Sequence, residues 1–188
     1  MGTDRHRLWS GSLTVVLKHQ LFLSVAYNNV IVIFRIVSIP PNDEILHEVA
    51  TWSMEQWGVD FPHDTIDTYV NLYKESIASS SGLPRVFVAL DNNDTPIGTI
   101  TCIDDDELPN ALEEGPWLAA LFVLPECRQS GIGQALVDAV VQHARSCGYS
   151  KLYLYTERHV AWYEKLGWTV VREATLSDHV VTVMTRSL

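Results

Sequence analysis

Apolar residues recur along this chain with two periods, and the switches between them mark its elements. Residues 32–39 are β-branched and apolar and stop at Pro40-Pro41, so they read as a strand. Asn42 or Asp43 then precedes Ile45, Leu46, Val49, Trp52 and Met54, spaced near the helical period and ending before Gly58. A second helix is expected after Pro62, capped at Asp64 or Thr65, with Ile66, Tyr69, Val70, Tyr73 and Ile77 on one face until Ser79-Ser80-Ser81-Gly82 breaks it. Residues 86–90 and 97–103 flank Asp91-Asn92-Asn93-Asp94, which is turn chemistry, and predict an antiparallel hairpin. The polar stretch 104–116, with Asp104, Asp105, Asp106 and Glu107 in a row, reads as a loop. Residues 117–123 form the next apolar strand. Beyond it Ile132, Leu136, Val137, Val140, Val141 and Ala144 fall on one side of a helix closed by Gly148. Residues 151–155 alternate as a strand, a short helix runs through Trp162 and Tyr163 to Gly167, and 168–174 with 180–185 make a terminal hairpin.

The sum is an α/β fold: a mixed, partly antiparallel central sheet of about seven strands with about four helices, antiparallel at both ends around one β-α-β crossover. Residues 1–31 stand apart as an N-terminal extension of unclear role. Leu13 to Leu17 and Leu21 to Tyr27 look strand-like but have no evident partner, which leaves an extra hairpin, a homodimer contact or a loose extension open. Residues 32–188 read as one domain without repeats.

Composition narrows the chemistry. The chain has 188 residues, 47% hydrophobic and 19% charged, enough for a real core, and a formal charge of −10. That charge excludes nucleic acid as a partner, since phosphate binding needs clustered Lys and Arg, and it admits a cationic one. The stretch 21–37 contains Asn28, Asn29 and Arg35 and is shorter than the ~20 residues of a membrane helix, so no membrane role is expected. Arg5 and Arg7 precede apolar residues, but Lys18, His19 and Gln20 interrupt them and no cleavage site follows, so export is not expected either. Cys102, Cys127 and Cys147 show neither C-x-x-C nor metal spacing, which makes a reducing cytoplasm the default and a metal unnecessary.

The chemistry concentrates after the 117–123 strand. Arg128-Gln129-Ser130-Gly131-Ile132-Gly133 lies between it and an amphipathic helix, the order in which chains build a phosphate cradle from glycine-exposed N–H groups and a helix N-terminus. Neither G-x-G-x-x-G nor G-x-x-x-x-G-K is present, so dinucleotide folds and nucleoside triphosphatases are disfavoured. With Arg128-x-x-Gly131-x-Gly133 and the later Trp162-Tyr163-Glu164-Lys165-Leu166-Gly167-Trp168, the chain resembles the GNAT superfamily of acetyl-CoA-dependent N-acetyltransferases over residues 32–188.

The resemblance implies acetyl-CoA as co-substrate and direct transfer of its acetyl group to a primary amine of a small molecule or a protein. The backbone of Leu121, Phe122 and Val123 would pair with the pantetheine arm between splayed strands. The N–H groups of Arg128, Gln129, Ser130, Gly131, Ile132, Gly133 and Gln134 would receive the pyrophosphate. Tyr163 takes the place of the general acid that protonates the leaving thiolate. Many members carry Asn and Ala where this chain has Thr156 and His159; Thr156 keeps a hydroxyl that can reach pantetheine. For the acceptor side the positions of Trp57, Phe61, Asp104 and Asp105 make them candidates, with any of the acids in 104–107 able to attract a cation or receive a proton. A non-catalytic acetyl-CoA-binding module and transfer from another acyl-CoA remain the alternatives.

Overall fold

The computed structural model describes the backbone of residues 13–17, 20–27, 30–79 and 81–188, with side chains from residue 33 onward. The readings placed on Arg5, Arg7, Lys18, His19, Asn28, Asn29 and Ser80 lie outside the described residues. Among those described, nine strands make one sheet: β1 (Leu13–Leu17), β2 (Gln20–Tyr27), β3 (Val30–Ser38), β4 (Arg85–Leu90), β5 (Pro96–Ile103), β6 (Trp117–Val123), β7 (Lys151–Thr156), β8 (Thr169–Leu176) and β9 (His179–Ser187). Their order is β1-β2-β3-β4-β5-β6-β7-β9-β8. Every neighbouring pair is antiparallel except β6 and β7, which are parallel because helix α3 (Ile132–Ser146) carries the chain between them. The strands β3 to β9 and four helices give the expected mixed α/β fold. The two N-terminal strands find a partner that the sequence does not reveal: β2 pairs with β3, Val25 opposite Val32, and β1 pairs with β2.

Side-chain alternation along β4 divides the core. Val86 and Val88 face α1 (Asp43–Trp57) and α2 (Ile66–Ala78), where Ile45, Leu46, Val49, Trp52, Val70 and Tyr73 are buried. Phe87 and Ala89 face α3, whose Leu136, Val137, Val140 and Ala144 are fully enclosed. The helical period of the sequence therefore translates directly into buried faces on both sides of the sheet. Polar contacts lock the layers: Ser53 Oγ and Tyr73 Oη are 2.8 Å apart across α1 and α2, and Ser76 Oγ accepts the Val86 N–H at 2.9 Å.

The N-termini of α1 and α2 are closed by their own side chains. Asn42 Oδ1 accepts from the Glu44 and Ile45 N–H groups at 2.9 and 3.2 Å, and Thr65 with Thr68 forms a reciprocal capping box. Of the alternatives at each cap, Asn42 and Thr65 are the ones used. No helix among the described residues is long and apolar enough to cross a membrane.

Leu136 sits at the centre of the α3 layer with no exposed surface. Leu136→Ala is expected to cost roughly 3 kcal/mol of unfolding free energy, the lost transfer term plus a cavity that a helix held on a sheet cannot close. Urea denaturation of the variant against the parent protein measures this.

Candidate active site

The site begins where the sheet stops being continuous. β6 pairs with β5 along its length, but with β7 only at Trp117 opposite Tyr153, after which the two strands separate. Ala120 starts the separation. Its φ is +50°, and three residues of β5 from Thr99 to Thr101 oppose four of β6 from Ala119 to Phe122, a β-bulge that bends β6 and re-aims its backbone. Past the bulge the Leu124 N–H is bound to the Ile97 carbonyl on β5, at 3.1 Å. By strand alternation the Leu121 and Val123 amides then face the gap. Arg128 Nε already donates to the Val123 carbonyl at 3.0 Å, and its guanidinium lies 6.0 Å from the centre of the Phe122 ring.

At the open end of the gap the chain makes a compact turn. A short 3₁₀ helix (Pro125–Cys127) leads into Gln129 at φ +62° and Gly131 at φ +79°, on either side of a buried Ser130 whose hydroxyl donates to the Cys127 carbonyl. Alternation of left-handed and ordinary residues turns successive N–H groups to one side, the concavity that binds anions. Unlike α1 and α2, α3 begins without any side-chain cap. Its first N–H groups and the positive end of its dipole are left for a ligand. Gly133 forms the floor: a Cβ there would stand 3.7 Å from the Trp162 ring and 3.9 Å from Val123.

Tyr163 lies on the helix that follows β7. Thr156, the buried last residue of β7, accepts the His159 N–H on its Oγ1 at 3.2 Å and so starts α4 (Val160–Lys165). Tyr163 on that helix is 6% exposed, with ring edges against Trp162 and Trp168 at centroid distances of 4.8 and 5.8 Å. Burial, with the negative charge of Asp106 added, lifts its phenol above the usual range, so it stays protonated through neutral pH. Among the described residues no side chain is hydrogen-bonded to its hydroxyl.

The acid loop closes the far side of this pocket. Asp105 Oδ1 accepts the Glu107 N–H at 3.0 Å, Glu107 has φ +52°, and Leu108 is driven into a small core with Phe61, Trp117, Tyr155 and Leu176. Asp104, Asp105 and Glu107 are left exposed while Asp106 is half-buried. Its carboxyl is raised well above the ordinary carboxylate range by burial and by Asp105 and Glu107, with Tyr155 opposing. The Tyr155 hydroxyl donates to the Asp106 carbonyl at 3.3 Å. Phenols around it are lifted too: Tyr155 by burial and Asp106, Tyr69 by burial and its bond to Asp64. The loop is pinned at its other end, where Arg172 grips Glu113 through two bonds of 3.0 and 2.8 Å and holds that carboxyl below its usual value. Gly115 is required at the return, since any Cβ there would lie 2.2 Å from the Asp104 carbonyl oxygen.

Of the candidates read from the sequence, Leu121, Phe122, Val123, Thr156, Tyr163 and residues 128–134 fall around one cleft. Phe61 reaches its acceptor side, whereas Trp57 packs into the α1–α2 core. Asp104 turns toward Tyr149 beyond α3 and Asp105 serves as the turn's hydrogen-bond acceptor, so the least exposed of the four acids is Asp106. Sequence reading did not single it out. A contact between distant loops was also hidden: the His179 ring nitrogen lies 3.8 Å from Asp60 Oδ1, joining the α1–α2 loop to the β8–β9 turn.

The sequence profile of the Acetyltransferase (GNAT) family matches residues 46–168. The chain belongs to the GNAT acetyltransferase family. Among solved structures it is similar to an aminoglycoside 6'-N-acetyltransferase complexed with coenzyme A, with TM-score 0.59 and 19% identity over 81% of this chain and 96% of that one. It is equally similar to a spermidine N-acetyltransferase chimera from Vibrio cholerae and hSSAT, with TM-score 0.59 and 18% identity over 82% and 95% of the two chains. Both likenesses are of fold. In sequence it is 37% identical over 54 residues to an amino-acid acetyltransferase of Enterobacter sp. (strain 638), a match spanning 29% of this GNAT chain and only 12% of that relative.

The bulge gives this site a stability signature. A β-branched residue is normally favoured in a strand, but Ala120→Val places one at φ +50° and is expected to cost about 1–2 kcal/mol. The same substitution at Ala119, in the regular part of β6, carries no such backbone penalty, and thermal unfolding of the pair separates the two.

Proposed function

We propose that this protein is an N-acetyltransferase that moves the acetyl group of acetyl-CoA directly to a primary amine of a small molecule or a protein, with Tyr163 as general acid. The observation that carries the reading is the uncapped start of α3 where β6 and β7 have parted, with Tyr163 on the helix that follows β7. The N–H groups of residues 128–134 hold the pyrophosphate. The Leu121 and Val123 backbone aligns the pantetheine arm as an added strand would, with Arg128 bracing the Val123 carbonyl. The Thr156 hydroxyl, whose oxygen already serves His159, keeps its own hydrogen to donate into the gap.

Acetyl-CoA brings the activated thioester; the protein brings alignment, dryness and a proton. Holding both reactants in one cleft replaces an encounter with an oriented attack, worth several kcal/mol. The Tyr163 proton is retained at neutral pH because burial disfavours the phenolate, and the thiolate leaving into the same dry pocket is raised by the same effect, so donor and acceptor remain matched. The acceptor side is framed by Phe61, Tyr69, Asp60 and the acid loop, a negative surface that favours a cationic amine. The transferase unit is taken to start near residue 32, with β1 and β2 added to its edge, and to work in the cytoplasm.

Two substitutions test this reading. Gly133→Asp adds a carboxylate in the first turn of α3, where the helix dipole favours it and the Cβ has room, so the protein is expected to melt no lower than the parent. Coenzyme A affinity is expected to fall roughly 10- to 100-fold, the loss of about 1.5–3 kcal/mol of charge-assisted bonding, as read by calorimetric titration. Tyr163→Phe is expected to keep coenzyme A affinity and lower kcat at least about 10²-fold on amines acetylated by the parent protein. Unchanged affinity in the first variant and unchanged kcat in the second would overturn the proposal.

A further inference from the structure

We propose that Asp60 and His179 form a charge-dependent clasp across the acceptor side of the cleft and so limit the size of amine that enters, a role that rests on the N-acetyltransferase reading above. Leu152 and Leu154 of β7 are buried in the α3 layer, so Tyr153 and Tyr155 face the other side of the sheet. There Phe61 and both tyrosines pack against the buried Trp117, Leu176 and Val183. Trp117 and Tyr153 are the paired residues beyond which β6 and β7 part, so the α1–α2 loop lies over the start of the gap on the face opposite α3. A cofactor seated at the α3 N-terminus leaves that face to the acceptor.

The β8–β9 turn reaches this loop with two side chains. Ser177 Oγ donates to the Asp60 carbonyl at 3.5 Å, and His179 Nδ1 stands 3.8 Å from Asp60 Oδ1 and 3.4 Å from Asp178 Oδ1. Both ends of the clasp are firm. The Asp60 and Phe61 N–H groups donate to the Trp57 carbonyl at 2.9 and 3.1 Å, and Leu176 opposite His179 closes the hairpin. The ionisable groups about the ring are Asp60 on the α1–α2 loop, Asp178 in its own turn and, behind Asp60, Tyr155 on β7, on which Asp106 and Glu107 also act. Apart from His179 these are all acids, so the clasp attracts only while the imidazole carries its proton. A histidine changes charge between about pH 5 and 8, where carboxylates stay ionised. Below that range imidazolium binds both carboxylates and draws loop and turn together. As pH rises through it the ion pair is lost, and at 3.8 Å a neutral ring makes no hydrogen bond to Asp60, so the loop keeps only Ser177 and the Phe61 packing. The His179 and Asp60 side chains are 30% and 18% exposed, which shields the pair in part from water and salt.

The test compares the full chain with its His179→Ala and His179→Lys variants at about pH 5.5 and 8, on either side of histidine titration. Coenzyme A affinity, expected within about twofold of the parent in both variants, serves as the control for folding because the cradle lies on the α3 side of the sheet. Hydrogen exchange of residues 58–65, corrected for intrinsic rate, reads the clasp itself. In the parent its protection is expected to fall about two- to fivefold from the lower to the higher pH, the range of a partly exposed ion pair. His179→Lys, a cation at both pH values, is expected to keep the protection, and His179→Ala to lack it at both. The second readout is kcat/KM for primary amines graded from ethylamine to an aminoglycoside, each compared between variant and parent at one pH so that the amine's own ionisation cancels. At the lower pH His179→Ala is expected to favour the bulkiest amines by about two- to fivefold over the parent, and to converge with it at the higher pH, whereas His179→Lys holds the parent's low-pH selectivity throughout. Equal protection in the parent and His179→Ala would overturn the clasp and leave the transferase reading intact. A clasp that opens without any change in selectivity would overturn its role in acceptor entry. Failure of the parent to acetylate any amine, with protection behaving as expected, would overturn the transferase reading and that role with it, while leaving the ion pair as a bond between the two loops.

Discussion

Everything in this cleft depends on a sheet that is left unfinished on purpose. Backbone N–H and C=O groups must be paired once buried, and a parallel pair such as β6 and β7 would ordinarily satisfy them by continuing its ladder. Here the ladder ends after Trp117 and Tyr153, because the bulge at Ala120 bends β6 away. The strained alanine is the cost of a slot whose walls already carry strand hydrogen-bonding groups. A ligand with amides of its own completes the sheet, and the large cores on either face keep the gap from collapsing.

The same economy governs the helix ends. Side-chain caps at Asn42 and Thr65 make α1 and α2 self-sufficient, which suits helices whose task is to cover the sheet. Withholding a cap from α3 costs some intrinsic helix stability, recovered by the complete burial of Leu136, Val137, Val140 and Ala144 against the strands. A helix anchored that firmly can afford an unsatisfied N-terminus, and an unsatisfied N-terminus is an anion site.

How much of this was legible in the sequence follows from how local each feature is. Residues 117–123 and the run Arg128 to Gly133 carry their geometry in neighbouring residues, so strand, cradle and helix could be read directly. The strand character of Leu13 to Leu17 was legible as well, but not its pairing through β2 to β3, since an edge partner is not encoded in alternation. The acid loop is the opposite case. Four consecutive acids look equivalent until the Asx turn, Leu108 and a tyrosine 49 residues further along the chain leave one half-buried and three exposed. Trp57 is a related case: position between two helices does not say which core an aromatic joins, and this one packs against the α1–α2 layer.

Burial acts on two ionisable groups of this site in one direction. Desolvation disfavours the charged form of any acid, so it lifts the Asp106 carboxyl toward neutrality and the Tyr163 phenol further above it. The phenol therefore keeps its proton through neutral pH, and the negative charge on Asp106 is among the causes.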